Sequence, residues 1–283
     1  IVGVLTDSHL LGSPTTEVAK NYNLPLFTFE EALVALDHGD LEFDLGVSVL
    51  YWRKLRDGFL RSPRLGVINF HPAPLPMYKG TGGYNIAILE GLEKWGVTAH
   101  YVDSEIDTGE IIKISEFSID CENELCTTLE AKSMQAMRAL IDDVLDSTIA
   151  SSERLKSYPN IGGRYVSRLE MEAMKKVQPG EDVSRKSRAF WFPPYDGAYI
   201  EIDGKKSTTA AISYLLSGTH SVKIVLDNKD LNVEPINKTS NYTSVETPLG
   251  SYSNKSLTWS QIENAVSYTI LRNGKLWKKT AKT

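Results

Sequence analysis

Asn69 and His71 stand two apart where the apolar run "LGVINF" ends, and the later stretch "YVDSEIDTGEII" carries Asp107 at a turn. In extended backbone, residues two apart project to the same side, so an amide and an imidazole face one place. If the strands ending near Asn69 and Asp107 are neighbours, a carboxylate joins them, with no cysteine in either stretch. That set suits direct transfer of an acyl group to an amine. It offers a donor for the developing oxyanion, a titratable group to handle a proton, and a carboxylate to orient the imidazole. The spacing is not that of a zinc site, and no metal is expected. Taken singly, each residue has a plainer reading: a histidine hydrogen-bonded in a turn at His71-Pro72, a turn-stabilising Asp-Thr-Gly at Asp107. Only the combination points to catalysis.

The loop after His71 is built to be stiff and to approach a ligand closely. Pro72, Pro74 and Pro76 fix their backbone angles, while Gly80, Gly82 and Gly83 permit positive φ. The elements that must hold these residues can be read from periodicity. "IVGVL", "FDLGVSVLYW" and "LGVINF" are strand-like, and "EEALVAL" has helical spacing. "YNIAILEGLEKWG" reads as a helix stopped by glycine, after which "VTAHYV" and "EIIKISEFSI" read as strands. Leu125, Leu129, Met137, Leu140, Ile141, Val144 and Leu145 recur at helical intervals, giving a long amphipathic helix. Strands alternating with helices predict an α/β fold with a doubly wound, mostly parallel, Rossmann-like sheet, in which ligands gather beyond the carboxyl ends of the strands.

The expected organisation is a catalytic domain over 1–150, a charged, patchily helical linker over 151–189 and a smaller β-rich C-terminal region over 190–283. The last part, "SLTWSQIENAVSYTILRNGKLW", looks like strands of a fibronectin type III module, too short for a complete sandwich. A chain of 283 residues with 41% hydrophobic and 24% charged residues reads as an ordinary soluble protein, and no apolar run approaches a membrane span. The start "IVGVLTDSHLL" lacks the pattern of a signal peptide, so a cytoplasmic location is expected. Cys121 and Cys126 are read as packing residues. The sequons at Asn237, Asn241 and Asn254 would matter only in a secreted protein. Net charge is −5, with 11 Lys+Arg against 8 Asp+Glu from residue 190 onward, so +3 lies on the tail and −8 on the body; nucleic-acid binding is disfavoured.

The pattern N-x-H-P-x-x-L-P-x-Y-R/K-G followed by D-x-x-x-D-T-G-D/E, with the intervening helix, resembles the formyltransferases that use 10-formyltetrahydrofolate. That family includes methionyl-tRNA, glycinamide ribonucleotide and nucleotide-aminosugar formyltransferases. The resemblance is strong over roughly residues 45–115 and puts Asn69, His71 and Asp107 on the family's catalytic triad. It implies that Asn69 and His71 stabilise the tetrahedral oxyanion while Asp107 orients His71 and helps move protons. It implies a folate site at Arg53, Lys54 and Leu55 of "YWRKL", with Val102 and Asp103 lining the other side. Ala73 stands where serine is frequent, and Lys79 where arginine is frequent; lysine keeps the charge and loses the bidentate fork.

The acceptor is narrowed by what is missing. "LTDSHLLGSP" has one late glycine and no glycine-rich phosphate cradle, which disfavours glycinamide ribonucleotide and a dinucleotide cofactor. A transfer-RNA enzyme would carry a more basic C-terminal barrel. "SRAFWFPPYDGAYIEIDGKK" looks closer to the aminosugar group, so the resemblance implies a nucleotide-linked deoxyaminosugar formylated for surface polysaccharide, by a homodimer. His9, Lys79 and Tyr84 are the candidate acceptor contacts, although His9 is equally a loop histidine and Tyr84 a helix cap. His100 is read as structural, and Trp191, Phe192 and Tyr195 either stack on a base or pack between domains. The rival readings are a methionyl-tRNA formyltransferase and a non-catalytic binding module on the same scaffold.

Overall fold

The computed structural model describes residues 1–6, 13–51, 53–202, 205–216, 219–226, 267–272 and 275–281. In chain order the elements are β1 (Val4–Leu5), α1 (Pro14–Asn21), β2 (Leu26–Phe27), α2 (Phe29–His38), β3 (Gly46–Val49), α3 (Asp57–Arg61) and β4 (Val67–His71). Then come β5 (Tyr78–Gly80), α4 (Gly83–Glu90), β6 (Lys94–Tyr101), β7 (Ile111–Ser118), α5 (Cys126–Ser151), β8 (Arg164–Val166), α6 (Arg168–Ala173) and α7 (Val183–Ala189). β9 (Tyr199–Ile202), β10 (Lys205–Leu216), β11 (Thr219–Leu226), β12 (Ser267–Arg272) and β13 (Lys275–Ala281) complete them. The fold is mixed α/β, as the alternation of periods predicts. The chain divides into two compact units: one of residues 1–80, 96–117 and 133–165, the other of 81–95, 118–132 and 166–283.

Local signals explain the first elements. Thr28 and Glu31 form a reciprocal capping box at the start of α2, with the Thr28 amide donating to Glu31 Oε2 at 2.7 Å and the Glu31 amide to Thr28 Oγ1 at 3.2 Å. Gly39, at φ 78°, ends that helix in the left-handed conformation. Gly91 ends α4 the same way at φ 67°. It, and not Gly96, is the glycine that stops the helix, and Lys94 and Trp95 already belong to β6.

The central sheet of the first unit runs β3-β4-β6-β7. β3 pairs parallel to β4, as β1 does to β2, while β6 runs antiparallel to β4. Strand alternation divides β4 between two faces. Ile68 and Phe70, with Val97, Ala99 and Tyr101 of β6, pack on Met137, Leu140 and Val144 of α5, whose spacing gives the helix one apolar stripe. Burying each of the Ile, Phe, Val, Met and Leu side chains among them stabilises the fold by about 1.5–3 kcal/mol. On the other face Val67 joins Phe29, Ala32, Leu41, Leu55 and Phe59 in a second core. Asn69 and His71 continue that face beyond it, at the carboxyl end of the strand. The register sets His100 directly opposite Asn69 and Thr98 opposite His71.

In the second unit, β9, β10 and β11 form an antiparallel sheet and β12 pairs with β13. Much of the fibronectin-like stretch lies outside the described residues. No helix of the described residues is long and apolar enough to cross a membrane.

Candidate active site

Thr98 pins the proline loop onto the sheet. Its hydroxyl accepts from the Leu75 amide at 3.0 Å and donates to the Ala73 carbonyl at 2.8 Å. The loop then returns as Tyr78–Gly80 beside the end of β4, and His71 Nε2 lies 2.8 Å from the Tyr78 carbonyl. A carbonyl can only accept, so Nε2 carries the proton. His71 Nδ1 faces Asp107 Oδ2 at 3.5 Å, with the two side chains 8% and 11% exposed. Asp107 Oδ2 also accepts the Gly80 amide at 2.8 Å, and its Oδ1 lies 3.7 Å from His100 Nε2.

The structure therefore brings Asn69, His71 and Asp107 together and adds His100. The His100 tautomer follows from its contacts. Nδ1 donates to the Tyr101 carbonyl at 2.8 Å, so Nε2 accepts from Asn69 Nδ2 at 3.0 Å. Burial pushes the His100 imidazole below the ordinary histidine range, against the opposing effects of the Tyr101 carbonyl and the Asp107 carboxylate. A neutral His100 fixes the Asn69 amide with its nitrogen inward and one N–H still to donate. The resemblance implied two oxyanion donors, Asn69 and His71. Here the His71 Nε2–H is taken by Tyr78, which leaves Asn69 as the side-chain donor and Nδ1 of His71, on the Asp107 side, as the nitrogen that can gain a proton.

Asp107 adopts φ 55°, in the left-handed region. The turn that holds it is crowded: a Cβ on Gly109 would lie 1.8 Å from the Tyr101 carbonyl oxygen. The segment 158–164 packs against it. Tyr158 and Ile111 exchange backbone hydrogen bonds at 2.9 Å, and Arg164 N donates to the Met77 carbonyl at 3.0 Å. Asn160 Nδ2 donates to the carbonyls of Asp107 at 2.9 Å and Gly109 at 3.0 Å.

The candidate folate residues Arg53, Lys54 and Leu55 line an open cleft of about 870 Å³ together with Phe29, Arg56, Asp57, Ser104 and Glu105. Its lining is mostly charged, with Phe29 and Leu55 as its apolar wall. Arg53 pairs with Glu30 at 2.9 Å and Lys54 with Glu105 at 3.6 Å. Val102 and Asp103 are not part of that lining. Val102 packs into the second core, and Asp103 Oδ1 accepts from the Glu105 amide at 3.1 Å and the Thr108 hydroxyl at 2.6 Å. They shape the cleft instead by carrying the chain from β6 to Ser104 and on to Asp107.

Of the acceptor candidates, Lys79 donates through its ammonium to the Gly162 carbonyl at 2.9 Å. Tyr84 lies in the first turn of α4, in the second unit, with its ring 6.2 Å from that of Trp95. His9 lies outside the described residues. The aromatic pair Phe192 and Tyr195 sits with ring centroids 6.0 Å apart. Among the described residues no group of three or more His, Cys, Asp or Glu could hold a metal ion.

Sequence reasoning set His100 aside because nothing in the sequence declares β6 antiparallel to β4. With that pairing, Thr98, His100 and Val102 fall on the face of Asn69 and His71. Asn160, in a stretch read as linker, carried no signal.

Residues 11–145 match the formyl transferase family. A methionyl-tRNA formyltransferase of Staphylococcus aureus (strain JH1) is 28% identical over 200 residues, 67% of this chain and 62% of that protein. The chain thus spans less than two thirds of the length of the curated relatives it matches. A 4-N formyltransferase from Francisella tularensis is similar in structure, with TM-score 0.59 and 25% identity over 73% of this chain and 84% of that one. An N-formyltransferase from Helicobacter canadensis, solved with folinic acid and dTDP-3-aminofucose, has TM-score 0.53 and 22% identity over 74% of this chain and 78% of that one.

Proposed function

We propose, from the premise that residues 11–145 form a formyl transferase domain, that the protein moves a formyl group from 10-formyltetrahydrofolate to the amine of a nucleotide-linked deoxyaminosugar. The observation that carries this reading is the convergence of Asn69, His71 and Asp107 at the end of β4, on the loop that continues from the cleft wall at Ser104 and Glu105. The cleft suits a folate. Phe29 and Leu55 offer apolar wall to a flat ring, and Arg53, Lys54 and Arg56 offer cations to a carboxylate tail. When bound there, the folate supplies the activated one-carbon group.

The chain's own residues have separate tasks. The free N–H of Asn69 donates to the formyl oxygen as negative charge grows on it, and a fixed donor in a partly dry site is worth far more than one in water. His100, neutral, holds that donor in place. His71 Nδ1 takes a proton shed by the attacking amine and would return it to the folate N10 as the N10–formyl bond breaks, and Asp107 faces the charge carried in between. Asp107 is itself held by the Gly80 amide. The Tyr78 carbonyl, which accepts from Nε2, keeps the ring from turning.

The 4-N formyltransferase and the enzyme solved with dTDP-3-aminofucose support the aminosugar acceptor. In the same reading, residues 1–150 carry the chemistry, 151–189 lead to the β-rich region 190–283, and the protein acts in the cytoplasm as a homodimer in surface polysaccharide synthesis. Lys79 and Tyr84 are proposed acceptor contacts.

A second reading is favoured by the 28% identity to a methionyl-tRNA formyltransferase. The test is mass spectrometry of reactions holding 10-formyltetrahydrofolate and a panel of nucleotide aminosugars, with initiator methionyl-tRNA as a separate arm. A gain of one formyl group on one sugar supports the proposal. Folate consumption with the tRNA alone replaces it by the second reading, and no turnover with either points to the binding module.

A further inference from the structure

We propose that Asn160 is a positioning residue for Asp107, its side-chain amide holding the turn that aims the carboxylate at His71 and His100. This inference deepens the formyl-transfer reading and rests on it.

A left-handed φ at a residue other than glycine is strained and persists where the surroundings over-determine it. At Asp107 the surroundings act from three directions. The Tyr101 carbonyl blocks one side of the turn at Gly109, which excludes other backbone positions without attracting this one. Thr108 ties its hydroxyl to Asp103 at 2.6 Å. Asn160 supplies donors to the turn's own carbonyls, those of Asp107 and Gly109, at 2.9 and 3.0 Å. Two carbonyl oxygens converging on one point need a positive partner between them, and both hydrogens of one amide nitrogen meet that need.

The amide can sit only this way round. Reversed, its oxygen would face two carbonyl oxygens. The orientation leaves Asn160 Oδ1 buried with no hydrogen-bond partner among the described residues. Such an acceptor is costly, and is tolerated here because the nitrogen side does so much. The position of Asn160 is set independently of Asp107. Tyr158 is paired to Ile111, and Gly163, at φ 76°, fits against the Pro76 carbonyl, where a Cβ would come within 1.5 Å. The segment therefore ties the Asp107 turn to the proline loop that carries Tyr78 and Gly80. Both partners of the Asp107–His71 pair lean on this one strap.

The experiment compares Asn160→Asp, which keeps the shape and loses both donors, with Asn160→Ala and Asn160→Gln, which restores a donor on a longer arm. The first two are expected to lower kcat about 10-fold to 100-fold, the scale of a small misplacement of reacting groups. KM for 10-formyltetrahydrofolate should stay within about twofold, because uniform binding is untouched, and Asn160→Gln should recover part of kcat. NMR of the His71 and His100 ring carbons and nitrogens, at one fixed pH, gives a readout that needs no turnover. Their resonances should move in Asn160→Asp in the direction seen for Asp107→Asn. A folded Asn160→Ala or Asn160→Asp protein with wild-type kcat, or with unmoved ring resonances, overturns the inference. If the wild type transfers no formyl group to any acceptor, the functional reading fails while the NMR comparison still decides on Asn160. Should Asn160→Ala not fold, Asn160→Ser carries the same comparison.

Discussion

Gly109→Ala is the substitution for which the structure sets the sharpest expectation. The new methyl would lie 1.8 Å from the Tyr101 carbonyl oxygen, where ordinary contact begins at 3.4 Å, so turn and strand must part by about 1.6 Å. Neither side can yield cheaply. The Tyr101 carbonyl accepts from His100 Nδ1, and the Tyr101 amide donates to the Glu110 carbonyl at 2.9 Å. Overpacking of backbone against backbone with loss of such bonds costs about 3–5 kcal/mol. At about 2–4 °C per kcal/mol for a domain of 150–250 residues, the thermal midpoint should fall by roughly 10 °C. Gly162→Ala is the control: its φ is 84°, yet nothing lies within 4 Å of the added carbon. It meets backbone strain alone, about 1–2 kcal/mol. Differential scanning fluorimetry and urea unfolding of the two variants beside the wild type would measure the contrast. Equal midpoints for Gly109→Ala and Gly162→Ala would refute the packing of the Asp107 turn on β6, and with it the geometry assigned to Asp107.

Three further outcomes are expected. Asn69→Leu removes the oxyanion donor and should lower kcat about 10²-fold to 10³-fold; a kcat within threefold of wild type at saturating substrates would exclude Asn69 from the chemistry. Cys126 is 3% exposed and burial raises its thiol pKa to about 12, with Cys121 raised as well, so at pH 8 neither should react with a disulfide reagent until urea is added. Rapid native labelling would contradict their burial. His100 binds its proton less readily folded than unfolded, so its contribution to stability is full above about pH 6.5 and is lost as pH falls through that value towards the lower folded pKa. Urea midpoints between pH 7 and 5 should slope less in His100→Gln than in wild type, and an unchanged slope would count against the burial of this ring.

Much of this site was legible because its signals are local. His71-Pro72 and Asp107-Thr108-Gly109 are each a few residues long, and the helices announce themselves by capping residues and periodicity. The α/β class followed from the alternation of those periods. What was not legible depends on distant partners. His100 matters through its register with Asn69, and a strand's own residues do not state the direction of its neighbour. Asn160 matters through carbonyls some fifty residues earlier in the chain, and a single asparagine has no pattern to be found by. Val102 and Asp103 were expected to line the folate site; Val102 packs against the second core, and Asp103 accepts from Glu105 and Thr108 on the loop that borders the cleft. The change of stop from Gly96 to Gly91 has a local reason: Gly96 sits in a strand where a Cβ would come within 3.1 Å of the Ser115 carbonyl oxygen, a demand for close packing and not for a turn.

The register of β4 against β6 has an evolutionary consequence. Asn69 and His100 are opposite one another because two strands pair, not because of how many residues separate them. Insertions and deletions between Gly80 and Lys94 can accumulate without changing which side chain meets Asn69, whereas a slip of one residue inside either strand would send His100 to the apolar face and abolish the contact. A lineage can therefore rebuild the helix that follows Gly80 and its connection to β6, while the amide–imidazole pair is inherited unchanged. Length variation among descendants should concentrate there, and paired substitution at 69 and 100 should be the rarer event.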